Sequence, residues 1–383
     1  MTNSENTNLS GIYIHVPFCQ SRCIYCDFYS TVYGEDFKDR YVERLLKEMT
    51  DRKNEVDSLV DTIYVGGGTP SCLHTGRIEK MMNHLIQNFS LAENPEITLE
   101  ANPDDVTPSF VKHLVDIGIN RVSLGVQTFD DERLRFIRRR HSSRQAVKAV
   151  HSLVENGIDN VSIDLIFGFP NESVESWKKD LDQALSLSVK HLSAYSLMFE
   201  EGTLLTHMRD SGQIEEIDED LSLRMYDVLL DMTEKKGMEH YEISNFSYPG
   251  FRSHHNSKYW MGAPYVGFGP GAHSFNGVNV RRSNNSDLKS YIQSSDEVPH
   301  EIEMLGADEL CDEFVFTSLR TKEGLDTRSL LARFGIERFN KIIVAAEAHV
   351  KSGLLKEASG RLSFTHKGFF LSDLVMSDMM IVE

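Results

Sequence analysis

The stretch GIYIHVPFCQSRCIYC, residues 11–26, decides how the rest of the chain is interpreted. Its first six residues, GIYIHV, are mostly aromatic or β-branched and predict a buried β-strand. Three cysteines then occur within eight residues in the spacing C-x3-C-x2-C, at Cys19, Cys23 and Cys26. Because thiolates bind zinc and iron, thiols this close together directly after a strand indicate a metal site.

Strand-like and helix-like stretches alternate through the first half of the chain. The candidate strands are 11–16, 62–65, 97–100, 121–126, 161–166 and 191–197, with amphipathic stretches between them. This alternation predicts an α/β fold in which parallel strands are joined by crossover helices. Six strand–helix units are fewer than the eight of a closed barrel. A partial (β/α)6 barrel and a doubly wound open sheet both fit the pattern.

Unusual residues stand where these predicted strands end. The segment GGGTP (66–70) follows the second strand, Glu100 closes the third, Gln127 ends the fourth, and Asp164 lies near the end of the fifth. Active sites of parallel α/β folds form at the carboxyl ends of the strands, so these residues share one rim with the cysteines. Each feature alone also fits a tight turn or a salt bridge; their common position favours a functional site.

Three cysteines are compatible with more than one kind of metal site. A structural zinc ion prefers four ligands, and only His15 is near enough in sequence to be the fourth. A [4Fe–4S] cluster held by three thiolates leaves one iron open to a small molecule. A loop of free cysteines is the remaining alternative. The rim position favours the cluster, and the odd total of five cysteines disfavours a disulfide framework.

Composition excludes several function classes. The 383 residues include 40 Lys and Arg against 58 Asp and Glu, which gives a formal net charge of −18. Such an acidic surface disfavours a broad nucleic-acid-binding face. No segment approaches the roughly 20 apolar residues that a membrane-spanning helix needs. The polar start MTNSENTNLS does not resemble a signal peptide, so we expect a cytoplasmic protein.

The sequence predicts four segments. They are a polar N-terminal tail (1–10), the partial-barrel core (11–205), a barrel extension (206–300) and a small C-terminal domain (301–383). The extension contains a long amphipathic helix at 218–237 and an aromatic, glycine-rich stretch at 241–275. Helical patterns at 311–319, 327–334 and 338–351, then the polar hairpin LLKEASGRLSFT, predict a helical or α+β, winged-helix-like domain. The acidic composition favours a cap without a nucleic-acid role.

These motifs resemble a known family. YIHVPFC (13–19), the C-x3-C-x2-C spacing and GGGTP resemble the radical S-adenosylmethionine (SAM) superfamily. Within it, the chain is similar to the oxygen-independent coproporphyrinogen III oxidase group, from about residue 11 to beyond 319. The resemblance implies a partial (β/α)6 barrel whose [4Fe–4S] cluster reduces SAM to methionine and a 5′-deoxyadenosyl radical. It also implies an electron donor such as flavodoxin.

The resemblance assigns roles to individual positions. Those that match the cluster ligands are Cys19, Cys23 and Cys26. Those that match residues holding the cluster-bound SAM are Tyr13, Gly67 and Glu100. Those around a second SAM in the oxidase are Tyr25, Gly68, Thr69, Gln127, Arg139 and Asp164. Met198 stands where the oxidase has a small residue in that second pocket. The resemblance therefore does not decide whether this chain binds one SAM molecule or two.

In two features the chain departs from the oxidase pattern and resembles the HemW branch, the radical SAM haem chaperones. Phe28 occupies the position of the oxidase's fourth cysteine, and only ten polar residues precede the first strand. The HemW motif H-N-x-x-Y-W is present at residues 255–260, and a family-like GFGPGAHSF follows at 267–275. We predict that His255 contacts haem, because imidazole is a common axial ligand. His254 is an alternative ligand, and a hydrogen-bonded structural histidine is the alternative role.

Two functions therefore compete. The first is a chaperone that binds haem, passes it to target haem proteins and carries a SAM-binding cluster. The second is the oxidase, which decarboxylates coproporphyrinogen III to protoporphyrinogen IX. Phe28 and the short N-terminus favour the chaperone, and the charge of −18 disfavours radical SAM modification of RNA. The run Arg138-Arg139-Arg140 fits either porphyrin propionates or a solvated helix face. A chaperone is also compatible with peripheral docking on membrane-bound targets.

Overall fold

The computed structural model describes residues 9–382. Its first half consists of six strand–helix units. The strands are β1 (Leu9–Val16), β2 (Leu59–Gly67), β3 (Leu91–Ala101), β4 (Arg121–Gln127), β5 (Asn160–Phe167) and β6 (His191–Ser196). The helices between them are α1 (Glu35–Asp51), α2 (Thr75–Asn88), α3 (Pro108–Asp116), α4 (Asp131–Phe136), α5 (Ser143–Glu155) and α6 (Val174–Ser186). Most strands are longer than predicted, and β1 includes the last two residues of the predicted tail.

Local sequence explains where these helices begin. The Thr107 side chain accepts a hydrogen bond from the Phe110 N–H, and Pro108 follows as the first helical residue of α3. Ser142 and Gln145 form a capping box at the start of α5. These caps fix the entry of each helix and leave its apolar side packed on the sheet.

The strand order distinguishes between the two predicted architectures. β1 to β6 lie side by side in chain order, and each is parallel to the next. A doubly wound sheet would reverse its strand order at a switch point, and this sheet does not. Within residues 9–382, β1 and β6 do not pair with each other, so the sheet stays open as a partial barrel.

The second half extends both edges of this sheet. Its strands are β7 (Glu239–Glu242), β8 (Asn245–Ser247), β9 (Tyr265–Phe268), β10 (His273–Phe275), β11 (Val280–Asn284) and β12 (His300–Met304). Its helices are α7 (Leu204–Asp210), α8 (Glu219–Lys235), α9 (His254–Met261) and α10 (Leu288–Gln293). β8 pairs antiparallel with β6, and β9 pairs parallel with β1. The aromatic stretch 241–275 therefore contributes strands to this sheet, with α9 between β8 and β9.

The C-terminal part has its own small sheet. It contains α11 (Ala307–Leu319), β13 (Leu325–Asp326), α12 (Thr327–Lys351), β14 (Leu355–Ala358), β15 (Arg361–Phe364), α13 (His366–Phe370) and α14 (Ser372–Asp378). The two helices predicted at 327–351 form one run broken at Gly335, whose φ is 78°. Arg320 pairs with the buried Glu242 at 2.9 Å and ties this part to the main sheet. Among the described helices, none has the length and apolar character needed to cross a membrane.

Candidate functional site

The cysteine loop leaves β1 and packs against the turn that follows β2. Cys19, Cys23 and Cys26 are all half-buried and line one cavity, called here the cluster cavity. The Cys19 N–H donates to the Thr31 carbonyl at 2.8 Å, and the Cys19 sulfur lies 3.3 Å from Thr69 Oγ1. These contacts hold the first thiol against the GGGTP turn.

Two glycines permit that close packing. Gly67 has a φ of 108°, and a Cβ there would come 2.7 Å from the His15 ring. A Cβ on Gly68 would come 2.6 Å from the Phe18 carbonyl oxygen. The Thr69 N–H also donates to that carbonyl, at 2.7 Å. The turn therefore joins the cysteine loop backbone to backbone, which a larger residue would prevent.

Two half-buried carboxylates form the opposite wall of the cluster cavity. Glu100 accepts hydrogen bonds from the Tyr64 hydroxyl at 2.7 Å and from the Gly67 N–H at 3.1 Å. Burial raises the pKa of Glu100 to about 7, and the neighbouring Asp164 carboxylate adds to that rise. Burial also raises the pKa of Asp164, which accepts a hydrogen bond from Ser123 at 3.3 Å. Such carboxylates suit a ligand that brings an ammonium group or hydroxyls.

Arg139 reaches from the turn after α4 into this cavity. Its Nη2 donates to the Asn102 side chain at 2.5 Å and to the Gly125 carbonyl at 2.6 Å, and its Nη1 lies 3.6 Å from the Cys23 sulfur. Its buried Nε has no hydrogen-bond partner within the described chain. Gln127 adopts a φ of 70°, which is strained for a residue with a side chain. An unpaired donor and local strain are both typical of a ligand site.

The structure brings together most of the predicted site residues. Those lining the cluster cavity are Cys19, Cys23, Tyr25, Cys26, Gly67, Gly68, Thr69, Glu100, Gln127, Arg139 and Asp164. Tyr13 lines a neighbouring cavity, while Met198 is 60% exposed and lines neither cavity. Sequence reasoning assigned no role to Ser30, Ser123 and Gly125, which also line the cluster cavity. Asn102 directly follows β3 in the segment EANP (100–103), so it had the position of a site residue without an assigned function.

The arginine run does not form a solvated helix face. It follows the last residue of α4, and all three side chains line the cluster cavity. Arg140 pairs with Asp104 and, at 3.2 Å, with Asp105. Arg138 is exposed in a left-handed conformation, with a φ of 60°. The run is therefore part of the site's outer wall.

A second cavity, called here the aromatic cavity, lies beside the first. Its aromatic lining residues are Tyr13, His15, Phe28, Tyr29, Tyr259, Tyr265 and His273. Its volume is about 440 Å³. Phe28 is 64% exposed and lines both cavities. The two cavities are therefore adjacent and share this one apolar side chain.

His255 lies beneath the aromatic cavity and does not line it. Only 1% of this residue is exposed. Its Nδ1 lies 3.0 Å from Thr62 Oγ1, and its Nε2 lies 2.9 Å from the Tyr259 hydroxyl. Burial, together with the nearby Lys258 ammonium, lowers the pKa of His255 to about 3. This is the geometry of a hydrogen-bonded structural histidine, while His254 is exposed; haem ligation by either residue stays a prediction.

Comparisons with known proteins agree with this architecture. The family model of the radical SAM superfamily matches residues 13–184, and the HemN C-terminal domain matches 305–371. The haem chaperone HemW of Lactococcus lactis is 33% identical over 374 residues, covering 97% of both chains. HemW of Mycobacterium tuberculosis is 35% identical, covering 97% of this chain and 94% of that one.

The chain belongs to the HemW family of the radical SAM superfamily. A solved structure, the coproporphyrinogen III oxidase HemN of Escherichia coli, superimposes with a TM-score of 0.85 at 22% identity. That match covers 99% of this HemW chain and 92% of the oxidase, and it concerns the fold alone. The predicted partial barrel with a helical C-terminal part is confirmed.

The site fits the cofactors of this superfamily, a [4Fe–4S] cluster and SAM. Among residues 9–382, no three or more His, Cys, Asp or Glu side chains converge to hold one metal ion. A cluster makes a different demand, because each thiolate binds a separate iron. Cys19, Cys23 and Cys26 line one cavity and would hold it, and the unpaired Arg139 Nε leaves a donor for a further ligand. When bound, the cluster would offer one open iron to SAM and a source of single electrons.

Proposed function

We propose that this HemW-family chain is a haem chaperone that binds haem and transfers it to haem proteins. The observation that carries the proposal is similarity to HemW haem chaperones along 97% of the chain. The likeness to the oxidase has 22% identity and speaks only for the common fold.

Phe28 supports the chaperone over the oxidase. Its side chain is apolar and cannot bind iron where the oxidase pattern has a cysteine. It is 64% exposed between the cluster cavity and the aromatic cavity. An exposed aromatic ring in this position would pack on a porphyrin face.

Within the cluster cavity, we assign the chain's own residues as follows. The three cysteines hold the cluster. Glu100 and Asp164 bind the ammonium group and ribose hydroxyls of SAM, because their half-buried carboxylates offer acceptor oxygens to the cavity. Arg139 holds the wall between Cys23 and Asn102 in place. Tyr25 covers the cavity beside the last thiol.

The mouth of the cluster cavity fits an external electron donor. Arg22 and Arg138 are exposed there, although the chain as a whole carries a charge of −18. Two exposed cations at the mouth favour a negatively charged partner, and we propose a flavodoxin-type donor. We also propose that the chain docks on haem-accepting target proteins that are held at a membrane.

Two assays on one anaerobically reconstituted sample test the proposed function. We expect the chain to bind haem and to release no CO2 from coproporphyrinogen III when SAM and a reductant are supplied. Cys23→Ser is the control for any activity that depends on the cluster. Decarboxylation at catalytic turnover, or failure to bind haem, would overturn the chaperone assignment.

A further inference from the structure

Three histidines lie at or beneath the aromatic cavity, and they differ in how their ring nitrogens are engaged. His15 uses both: Nδ1 lies 3.0 Å from the Tyr13 hydroxyl, and Nε2 lies 2.9 Å from the Tyr29 carbonyl oxygen. His255 also uses both, toward Thr62 and Tyr259. Neither ring has a nitrogen free for a metal ion in this conformation.

His273 is different. It lies in β10, lines the aromatic cavity and is exposed. Its Nδ1 lies 2.9 Å from the Ser283 hydroxyl of the paired strand β11. Its Nε2 has no hydrogen-bond partner in the described part of the chain. One nitrogen oriented by a neighbour and the other left open is the usual arrangement of a metal-ligating histidine.

The glycine-rich segment before His273 explains its position. Gly269 and Gly271 have φ values of 99° and 80°, and a Cβ on Gly269 would come 2.5 Å from the His15 carbonyl oxygen. The Gly269 turn therefore packs directly on β1 before the chain enters β10. This packing brings His273 to the same cavity as Tyr13 and His15.

We propose that His273, and not a histidine of the HNxxYW motif, is the axial ligand of haem in the aromatic cavity. The proposal rests on the haem-chaperone function and names the place where the cargo binds. The volume of about 440 Å³ lies within the usual range for ligand sites. Phe28, Tyr259 and Tyr265 line the cavity and supply aromatic surface for the porphyrin.

His255 then has a positioning role. It lies 2.9 Å from the Tyr259 hydroxyl, and the Tyr259 ring packs edge-on against Tyr265 at 4.7 Å between ring centroids. The HNxxYW motif thus contributes a wall of the haem site through Tyr259.

Titration of the full chain with haemin, followed by difference spectra, tests this assignment. We expect His273→Ala to lose the imidazole-ligated spectrum and to weaken haem binding by about tenfold or more. Added imidazole should restore the spectrum, because the cavity remains. His254→Ala should bind haem as the unaltered chain does. His255→Ala removes the support of Tyr259, so it should weaken haem binding while the bound haem keeps the imidazole-ligated spectrum.

The outcomes separate this inference from the proposed function. If the unaltered chain binds haem and His273→Ala gives the same spectrum, the ligand assignment is wrong and the chaperone function stands. Loss of the spectrum in His255→Ala or His254→Ala, with His273→Ala unaffected, also overturns it. If the unaltered chain does not bind haem, both proposals fail. Unchanged circular dichroism of His273→Ala would show that any loss is local, as expected for an exposed side chain.

Discussion

At the scale of single residues, the sulfur of Cys23 has the clearest consequence. We expect Cys23→Ser to abolish cluster absorbance after anaerobic reconstitution with iron and sulfide, because two thiolates hold a cluster poorly. Cys72→Ser is the matched control: its thiol is buried, lies 3.5 Å from the Phe18 carbonyl oxygen and does not line the cluster cavity. Full cluster absorbance in Cys23→Ser would contradict the proposed ligand set.

Glu100 makes a second prediction at this scale. Glu100→Gln replaces a half-buried carboxyl group, which hydrogen bonds from Tyr64 and Gly67 hold in place, with an amide that cannot become negatively charged when the ammonium group of SAM binds. A hydrogen bond to a charged group contributes about 1.5–3 kcal/mol, so SAM should bind roughly 10- to 100-fold more weakly by calorimetry on the cluster-loaded chain.

Glu172→Gln is the control for this prediction. Burial raises the pKa of Glu172 to about 7 as well, but its partner is Arg133 at 2.7 Å and it lies outside the cluster cavity. This substitution should lower stability and leave SAM affinity unchanged. Equal SAM affinity in Glu100→Gln and the unaltered chain would exclude Glu100 from the SAM site.

His255 links a single side chain to the pH dependence of stability. Its folded pKa of about 3 lies below the ordinary value of 6.5, so between these values the unfolded chain takes up a proton that the folded chain does not. Stability therefore falls as the pH falls through this window, by about 2 kcal/mol at pH 5 from this residue alone.

His255→Gln removes this ionisable group. We measure the free energy of unfolding in urea at pH 7 and at pH 5. Between these two pH values it should fall by about 2 kcal/mol more in the unaltered chain than in the variant. The same loss in both proteins would show that His255 is not held neutral in the folded chain.

At the scale of elements, the turn between β2 and α2 is the most sensitive to added bulk. Gly68→Ala would place a Cβ 2.6 Å from the Phe18 backbone, so we expect a loss of about 1–3 kcal/mol in stability and incomplete cluster loading. Gly76→Ala, inside α2, meets nothing closer than 3.5 Å and should be neutral or stabilising by up to about 1 kcal/mol. Thermal unfolding measures the stability of both variants, and iron content measures their cluster loading. Equal stability and equal iron content in Gly68→Ala and Gly76→Ala would contradict the proposed close packing at Gly68.

The central strands could be predicted from sequence because their residues carry local signals. β1 to β6 are aliphatic runs between amphipathic stretches, and Thr107 and Ser142 mark helix starts as caps. β9 and β10 could not be predicted in this way. They are short and flank a glycine-rich turn, and β9 exists because it pairs with β1, more than two hundred residues earlier in the chain. Such pairing depends on tertiary contacts rather than on local preference.

The candidate site was predictable to the extent that strand ends define it. Glu100, Gln127 and Asp164 follow from the rule that parallel strands present their carboxyl ends to one rim. A sequence motif does not predict which side chains of a helix line a cavity. His255 and Tyr259 are one helical turn apart in α9, yet only Tyr259 lines the aromatic cavity.

At the scale of the whole molecule, the second half of the chain fixes the aromatic cavity onto the barrel. Arg52, directly after α1, donates to the Gly267 carbonyl at 2.8 Å. Glu48 of α1 accepts hydrogen bonds from Asn284 of β11 at 2.7 Å and from Tyr291 of α10 at 2.6 Å. This buried network attaches the strands around His273 to the first helix. This network therefore joins the strands around the proposed haem site to the barrel that carries the cluster site.

Haem transfer by the full chain tests the central claim most directly. The haem-loaded chain is mixed with an excess of an apo-haem protein, and the transfer rate is followed by absorbance as the acceptor concentration is varied. A chaperone hands haem over in a complex, so the account predicts a rate that rises with acceptor concentration and then saturates. A rate that is independent of the acceptor and equal to spontaneous haem dissociation would contradict it.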